Sequence, residues 1–184
     1  MLCTADESIR CETVLLGELN IKNIVLCAAV CLYLGLSMEQ VQRGIRKLKP
    51  VEHRLQLISG AGGITIIDDA FNSNILGAEH AFRVLKDFSG KRIAVTPGMV
   101  ELGDQEERMN HQFGTLMAGC CDEAILIGRK RSGAIREGLL EKGFSAEHIH
   151  IAERLSDAAE MLKTMAVSGD VILFENDLPD HYTE

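Results

Sequence analysis

The sequence predicts an α/β fold: a mostly parallel sheet flanked by helices, preceded by a short helical segment. Three observations predict it. From residue 64 to residue 174, short β-branched runs alternate with amphipathic helical stretches. Pro50 separates that alternation from two helical stretches before it. Gly35, Gly90 and Gly143 each stand just after a helical pattern, where helices end.

In chain order, Thr13-Val14-Leu15-Leu16-Gly17 suits an isolated strand. Asn20 then precedes a helix in which Ile21, Ile24, Val25, Ala28, Ala29, Leu32 and Tyr33 recur at three- and four-residue spacing. This helix is apolar around much of its circumference, so burial within something larger is expected. Ser37 and Gln40 have capping-box spacing for a second helix, with Val41, Ile45 and Leu48 on one face and Pro50 ending it. The chain therefore divides into 1–50, the helical piece, and 51–184, the α/β domain.

Residues 54–58 suit a strand, Ser59-Gly60-Ala61-Gly62-Gly63 a turn, and 64–68 the second arm of a hairpin. A dinucleotide loop joins a strand to a helix, whereas these glycines lie between two strands. They are assigned to a bulged turn. Helices follow over 76–88, from 106, over 132–141, and from a Ser156 cap to 167. Strands are expected over 92–95, 124–128, 148–151 and 171–174. Repeated strand–helix units require right-handed crossovers and a parallel sheet.

Composition limits the function. A chain of 184 residues buries about 70% of its unfolded surface, so neither disulfide nor metal is needed for stability. The net charge of −8 argues against non-specific nucleic-acid binding, which relies on neutralising phosphates. No run of about 18 apolar residues is present, so no membrane span is expected. Met-Leu-Cys-Thr-Ala-Asp-Glu at the start lacks a secretory pattern. The six cysteines include no Cys-x-x-Cys pair. Reduced thiols in a cytoplasmic protein are expected.

Ligands of open α/β sheets bind beyond strand carboxyl ends. Three polar segments fall there: Asp68 to Asn74, Thr96 to Gly103, and Glu175 to Asp180. In a parallel sheet they share one edge and can converge. Each also has a plain explanation in turns and caps. Glu101, in a loop with two glycines, suits an amine, a metal water or a cap. His148 and His150 alternate on a strand without a third ligand nearby, so ordinary strand histidines are expected. His53 is expected to be exposed, and Lys130 and Arg131 to form a solvated pair. Neither a Gly-x-x-x-x-Gly-Lys-Ser/Thr loop nor a Gly-x-Ser-x-Gly elbow occurs. Any main phosphate cradle lies elsewhere, and no catalytic residue or metal ligand is expected here.

Gly17-Glu18-Leu19-Asn20-Ile21-Lys22-Asn23 resembles the Gly-x-His-Asn-x-x-Asn segment of the Mur ligases. Leu48 to Leu55 resembles their linker into the last domain. Ile67-Asp68-Asp69-Ala70-Phe71-Asn72-Ser73-Asn74 is similar to the Asp-Asp-x-Tyr-Asn-Ala-Asn-Pro signature of one branch. That branch joins D-alanyl-D-alanine to a UDP-N-acetylmuramoyl tripeptide. Val100-Glu101-Leu102-Gly103 resembles the end of its Gly-Asp-Met-Leu-Glu-Leu-Gly loop.

The resemblance implies that residues 1–50 end a central ATPase domain and 51–184 form the Rossmann-like last domain. The central and N-terminal domains would be partners. ATP and Mg2+ would be bound mainly by the central domain, and ATP would turn a peptide carboxylate into an acyl phosphate that the amine attacks. Asn20 and Asn23 would approach adenine and Arg54 the phosphates. Asp69 would bind ribose or orient the linker. Asn72 and Asn74 would line the closed cleft, and Glu101 would lie near the dipeptide. The chain departs from the family at Leu19 for His, Phe71 for Tyr and Ile75 for Pro. Thr96-Pro97-Gly98 replaces a stretch that usually holds Gly-Asp, and Glu175-Asn176-Asp177 stands where many relatives carry Lys-Gly-Ser. Two alternatives stay open: a Mur-like ligase with another amine donor, and a non-catalytic α/β binding module.

Overall fold

The computed structural model describes residues 1–176. The chain opens with a two-stranded antiparallel ribbon, β1 (Leu2–Cys3) and β2 (Ser8–Ile9). The expected strand over residues 13–17 does not form, because a strand needs a neighbour to accept its ladder and none pairs there. Gly17 instead caps α1 (Glu18–Tyr33), so the helix starts ahead of Asn20. Gly35, at φ 91°, ends it. Its N–H donates to Leu32 and that of Leu36 to Cys31, pairing carbonyls that the helix leaves open. The predicted capping box starts α2 (Met38–Arg46). Ser37 Oγ accepts from the Gln40 N–H at 3.3 Å, and Gln40 Oε1 accepts from the Ser37 N–H at 2.7 Å. This helix stops before Pro50 is reached, its last turn tightening through the Lys47 and Leu48 N–H groups.

The remaining strands are β3 (Gln56–Ser59), β4 (Thr65–Asp69), β5 (Arg92–Thr96), β6 (Glu123–Ile127), β7 (Ile149–Ala152) and β8 (Val171–Glu175). Helices α3 (Ile75–Lys86), α4 (Glu106–Met117), α5 (Arg129–Glu141) and α6 (Leu155–Met165) alternate with them. The sheet order is β3-β4-β8-β5-β6-β7. Among the described residues of this six-stranded sheet, only the β3–β4 pairing is antiparallel. The mostly parallel, helix-flanked sheet matches the sequence expectation.

Several boundaries differ. Leu55 at φ 49° cannot be strand, so β3 starts at Gln56. His148 closes a short 3-10 turn (Ala146–His148) ahead of β7. Arg154, not Ser156, precedes α6, and its backbone N–H donates to the Asp157 carboxylate at 3.1 Å.

The core has two layers that follow the two-residue period of the strands. On one face Ile67, Ala94, Leu126 and Leu173 pack under α3, α4 and α5. Phe82 and Phe113 meet edge to face there, with centroids 5.1 Å apart. On the other face Ile93, Val95, Ile125 and Ile172 pack against Ala158 and Leu162 of α6. The helical piece has a thin core of Ala28, Val41 and Ile45. The expected burial of α1 is not met within this chain, where Ile21, Val25, Leu26, Val30 and Tyr33 stay exposed.

All six cysteines are free thiols. Burial pushes the Cys121 thiol far above its ordinary range. His148 Nδ1 and His150 Nε2 both meet the Glu123 carboxylate, at 3.0 and 2.8 Å. Among the described residues no group of His, Cys, Asp or Glu is arranged to hold a metal.

Helices α4 and α5 pack closely because Gly114 and Gly138 lie between them. A Cβ on Gly114 would stand 2.1 Å from the Ile135 carbonyl oxygen. Gly114→Ala is therefore expected to lower stability by about 3 kcal/mol or more, read as a fall in the urea midpoint. Gly133→Ala, on the open face of α5 with nothing near the new carbon, should raise stability by about 0.5–1 kcal/mol. With a chromogenic disulfide reagent, exposed Cys3 and Cys27 should react in the native protein and Cys121 only after unfolding.

Candidate functional site

Strands β4, β8 and β5 end side by side, at Asp69, Glu175 and Thr96. Asp69 and Glu175 are register partners. Val95 pairs with Phe174, which brings Thr96 beside Glu175. The three polar segments thus meet at one edge. Asp177 to Asp180 of the third lie outside the described residues.

The first segment turns tightly: Asp68 Oδ1 accepts the Ala70 N–H at 3.1 Å, and the Asp69 carbonyl accepts the Phe71 N–H at 2.9 Å. Asn74 caps α3, its Oδ1 accepting the Gly77 N–H at 2.9 Å. Asn72 is exposed beside it.

The linker from the helical piece is fastened onto this turn. His53 Nδ1 meets Asp68 Oδ2 at 2.9 Å. The Leu55 N–H donates to Asp69 Oδ1 at 2.9 Å. The Arg54 guanidinium lies 4.1 Å from the centre of the Phe71 ring. His53 and Leu55 have φ of 59° and 49°, a left-handed conformation costing roughly 1–3 kcal/mol each in a non-glycine residue. Such strain persists only where the surroundings hold it, and here the two aspartates and the ring do so. His53 is exposed, as expected, and also paired.

Burial raises the Asp69 carboxyl, against the lowering effects of the Leu55 N–H, Glu175 and Arg54. Glu175 is raised well above the usual carboxyl range, first by burial and then by the Asp69 charge. Ser73 Oγ donates to its Oε1 at 2.5 Å.

The second segment, residues 97–102, is strapped by buried polar side chains. Thr96 Oγ1 accepts the Gly98 N–H at 3.0 Å. Asn110 accepts the Met99 N–H at 2.8 Å and donates to the carbonyls of Met99 and Glu106 at 2.9 and 3.0 Å. Asn176 Nδ2 donates to the Gly98 carbonyl at 2.7 Å. Arg131 Nε donates to the Pro97 carbonyl at 3.2 Å. The expected solvated pair is thus corrected: Lys130 is exposed, but Arg131 is buried, because the turn into α5 points it under the loop. Glu101 is exposed on this loop at φ 63°. An open cleft of about 520 Å³ lies beyond, lined by Asp104, Glu107, Asn110, Lys130 and Glu137 among others.

Arg54 and Asp69 are brought together, with Asn72 nearby on the same turn. Asn74 spends its oxygen on the α3 cap. Asn20 and Asn23 lie on α1, where Asn20 Nδ2 donates to the Leu16 carbonyl at 2.8 Å and Asn23 is exposed. An exposed cation on a ring beside a half-buried carboxylate fits a phosphate and a hydroxyl-bearing group, so the residues present suit a nucleotide.

Residues 53–175 match the family described as "Mur ligase, glutamate ligase domain". The chain belongs to the Mur ligases. It is 29% identical over 163 residues to the UDP-N-acetylmuramoyl-tripeptide–D-alanyl-D-alanine ligase of Bacillus subtilis (strain 168), covering 88% of this chain and 35% of that protein. MurF from Acinetobacter baumannii superposes with a TM-score of 0.74 at 26% identity, over 91% of this chain and 36% of that one. MurF from Thermotoga maritima in complex with ADP shares the fold, with a TM-score of 0.73 at 21% identity, over 88% of this chain and 35% of that one. The chain thus spans about a third of the length of the Mur ligases it matches.

Sequence reasoning missed Asn110, carried Ser73 and Asn176 only as members of polar segments, and read Arg131 as solvated. It treated Phe71 as a departure from the family, and Glu175 as both a departure and the start of a polar segment. An asparagine inside the apolar face of the α4 helix, three residues before Phe113, was the one local signal.

Asn110 makes three hydrogen bonds, two of them buried and one partly so, so Asn110→Ala should cost about 3 kcal/mol in urea unfolding. Phe71→Ala should lose about 1 kcal/mol as Arg54 loses its ring, whereas Phe71→Tyr should be near neutral.

Proposed function

We propose that this chain is the carboxyl-terminal part of an ATP-dependent amide ligase of peptidoglycan synthesis that joins D-alanyl-D-alanine to a UDP-N-acetylmuramoyl tripeptide. The single observation carrying this reading is the Arg54–Asp69 arrangement at the sheet edge, in a chain whose relatives include proteins named for that reaction. Residues 1–50 would end the central domain, and the open apolar face of α1 would pack into it. Residues 51–184 would be the last domain. The whole enzyme would work in the cytoplasm.

In this reading Arg54 faces the phosphates, and Asp69 accepts from ribose hydroxyls with lone pairs left over from the Leu55 N–H. Asn20 and Asn23 approach the adenine from α1. Asn72 and the rim at Asn74 line the cleft once the domains close. Glu101 meets the incoming amine of the dipeptide. ATP with Mg2+, held mainly by the central domain, supplies the phosphoryl group that activates the peptide carboxylate. This chain's residues contribute positioning and charge.

A second reading keeps the ligase and changes the amine donor. Relatives named for D-glutamate and 2,6-diaminopimelate match at similar identity. A non-catalytic binding module is the outcome if no donor supports turnover. In the full-length protein, ADP release should require D-alanyl-D-alanine. Release with D-glutamate or diaminopimelate instead would select the second reading. Asp69→Ala should cut turnover about a hundredfold, and unchanged turnover would reject a ligase role for this edge.

A further inference from the structure

Glu175 ends β8 fully buried, an unusual place for a carboxyl. Its Oε1 accepts from Ser73 Oγ. Its Oε2 is sealed from water and meets no hydrogen-bond donor among the described residues. Its register partner on β4 is Asp69, whose Oδ1 already accepts the Leu55 N–H.

Among the described residues, nothing beside Glu175 neutralises it as an anion. On β5 its neighbour Thr96 is uncharged, and on its own strand Asn176 follows. The helix α3 meets this face through Ile75, Ala78, Ala81 and Phe82. Arg54 and Asp68 act on Asp69, and His53 is held on Asp68. Among the described residues no cation forms an ion pair with Glu175.

Two adjacent carboxylates, one of them without water, repel. One proton between them converts repulsion into a hydrogen bond. We propose that Glu175 is a positioning residue: a neutral acid at neutral pH whose carboxyl O–H donates to the Asp69 carboxylate, holding Asp69 against the Leu55 N–H of the linker. Ser73 fixes the other oxygen of the acid, so one proton ties β8, the turn after β4 and the linker together.

The direction of the shift at Glu175 agrees with this arrangement. A carboxyl whose folded value is raised contributes stability that is complete below its unfolded value. That contribution is lost as pH rises through the folded value. The bond between the two acids does not depend on what Asp69 binds. Only its bearing on nucleotide affinity rests on the reading proposed above.

The test uses the 184-residue chain without nucleotide, so failure of the ligase reading leaves it intact. Urea unfolding is followed from about pH 5 to about pH 9 for wild type, Glu175→Gln and Glu175→Leu. In wild type the unfolding constant should rise by up to about tenfold per pH unit until the folded value is passed. The amide of Glu175→Gln can donate to Asp69 and accept from Ser73, so this variant should stay stable at neutral pH and lose most of that rise. Glu175→Leu should be destabilised throughout, because Asp69 and Ser73 both lose a partner. The 13C carboxyl signal of Glu175 should be that of a neutral acid at neutral pH. A signal titrating in the ordinary carboxyl range, or a Glu175→Gln slope equal to wild type, overturns the proposal. If Glu175→Gln does not fold, the wild-type 13C titration alone decides.

Discussion

Parallel pairing of β8 between β4 and β5 is the constraint on which the rest of this structure depends. Apolar residues drive it: Ile67, Leu173 and Ala94 fill one face and Ile172 and Ile93 the other. Ladder hydrogen bonds then fix the register, and the strand ends follow without further choice. Glu175 comes to lie beside Asp69 and Thr96. Asn176, one residue later, reaches both the Asp69 carbonyl through its N–H and the Gly98 carbonyl through its side chain. The last described residue therefore ties together two loops that are far apart in sequence.

The linker is the second consequence. Its residues between Pro50 and β3 adopt two left-handed conformations that isolated peptides avoid. They are held because the acidic turn offers a carboxylate to the His53 ring, another to the Leu55 N–H, and a ring to Arg54. Arg54 and Asp69, the side chains proposed above to meet a nucleotide, also hold the linker against the acidic turn.

The loop after β5 is held in a different way. Its backbone groups would be costly to bury unpaired, and Asn110, Thr96, Asn176 and Arg131 pair them from four separate elements. This presents Glu101 at the surface on a supported backbone. Phe71, without a hydroxyl, serves as a platform for a cation instead.

Much of the architecture was legible in the chain as written. Strand and helix periods placed the alternation, the Ser37–Gln40 pair placed a helix start, and Gly35 and Gly143 placed helix ends, because each depends on neighbours within a turn. The polar stretch from the end of β4 was legible as a candidate for the same reason: its residues are contiguous. Strand order was not, since nothing local in Val171 to Glu175 says which neighbours will accept its ladder. Nor was the fate of Arg131, whose burial depends on a carbonyl contributed by a distant loop. Sequence by itself determined most of the elements and the family, through short-range periodicity and contiguous motifs. Only tertiary structure decided which side chains share an edge, because hydrogen-bond register between distant strands is set by packing of the whole sheet.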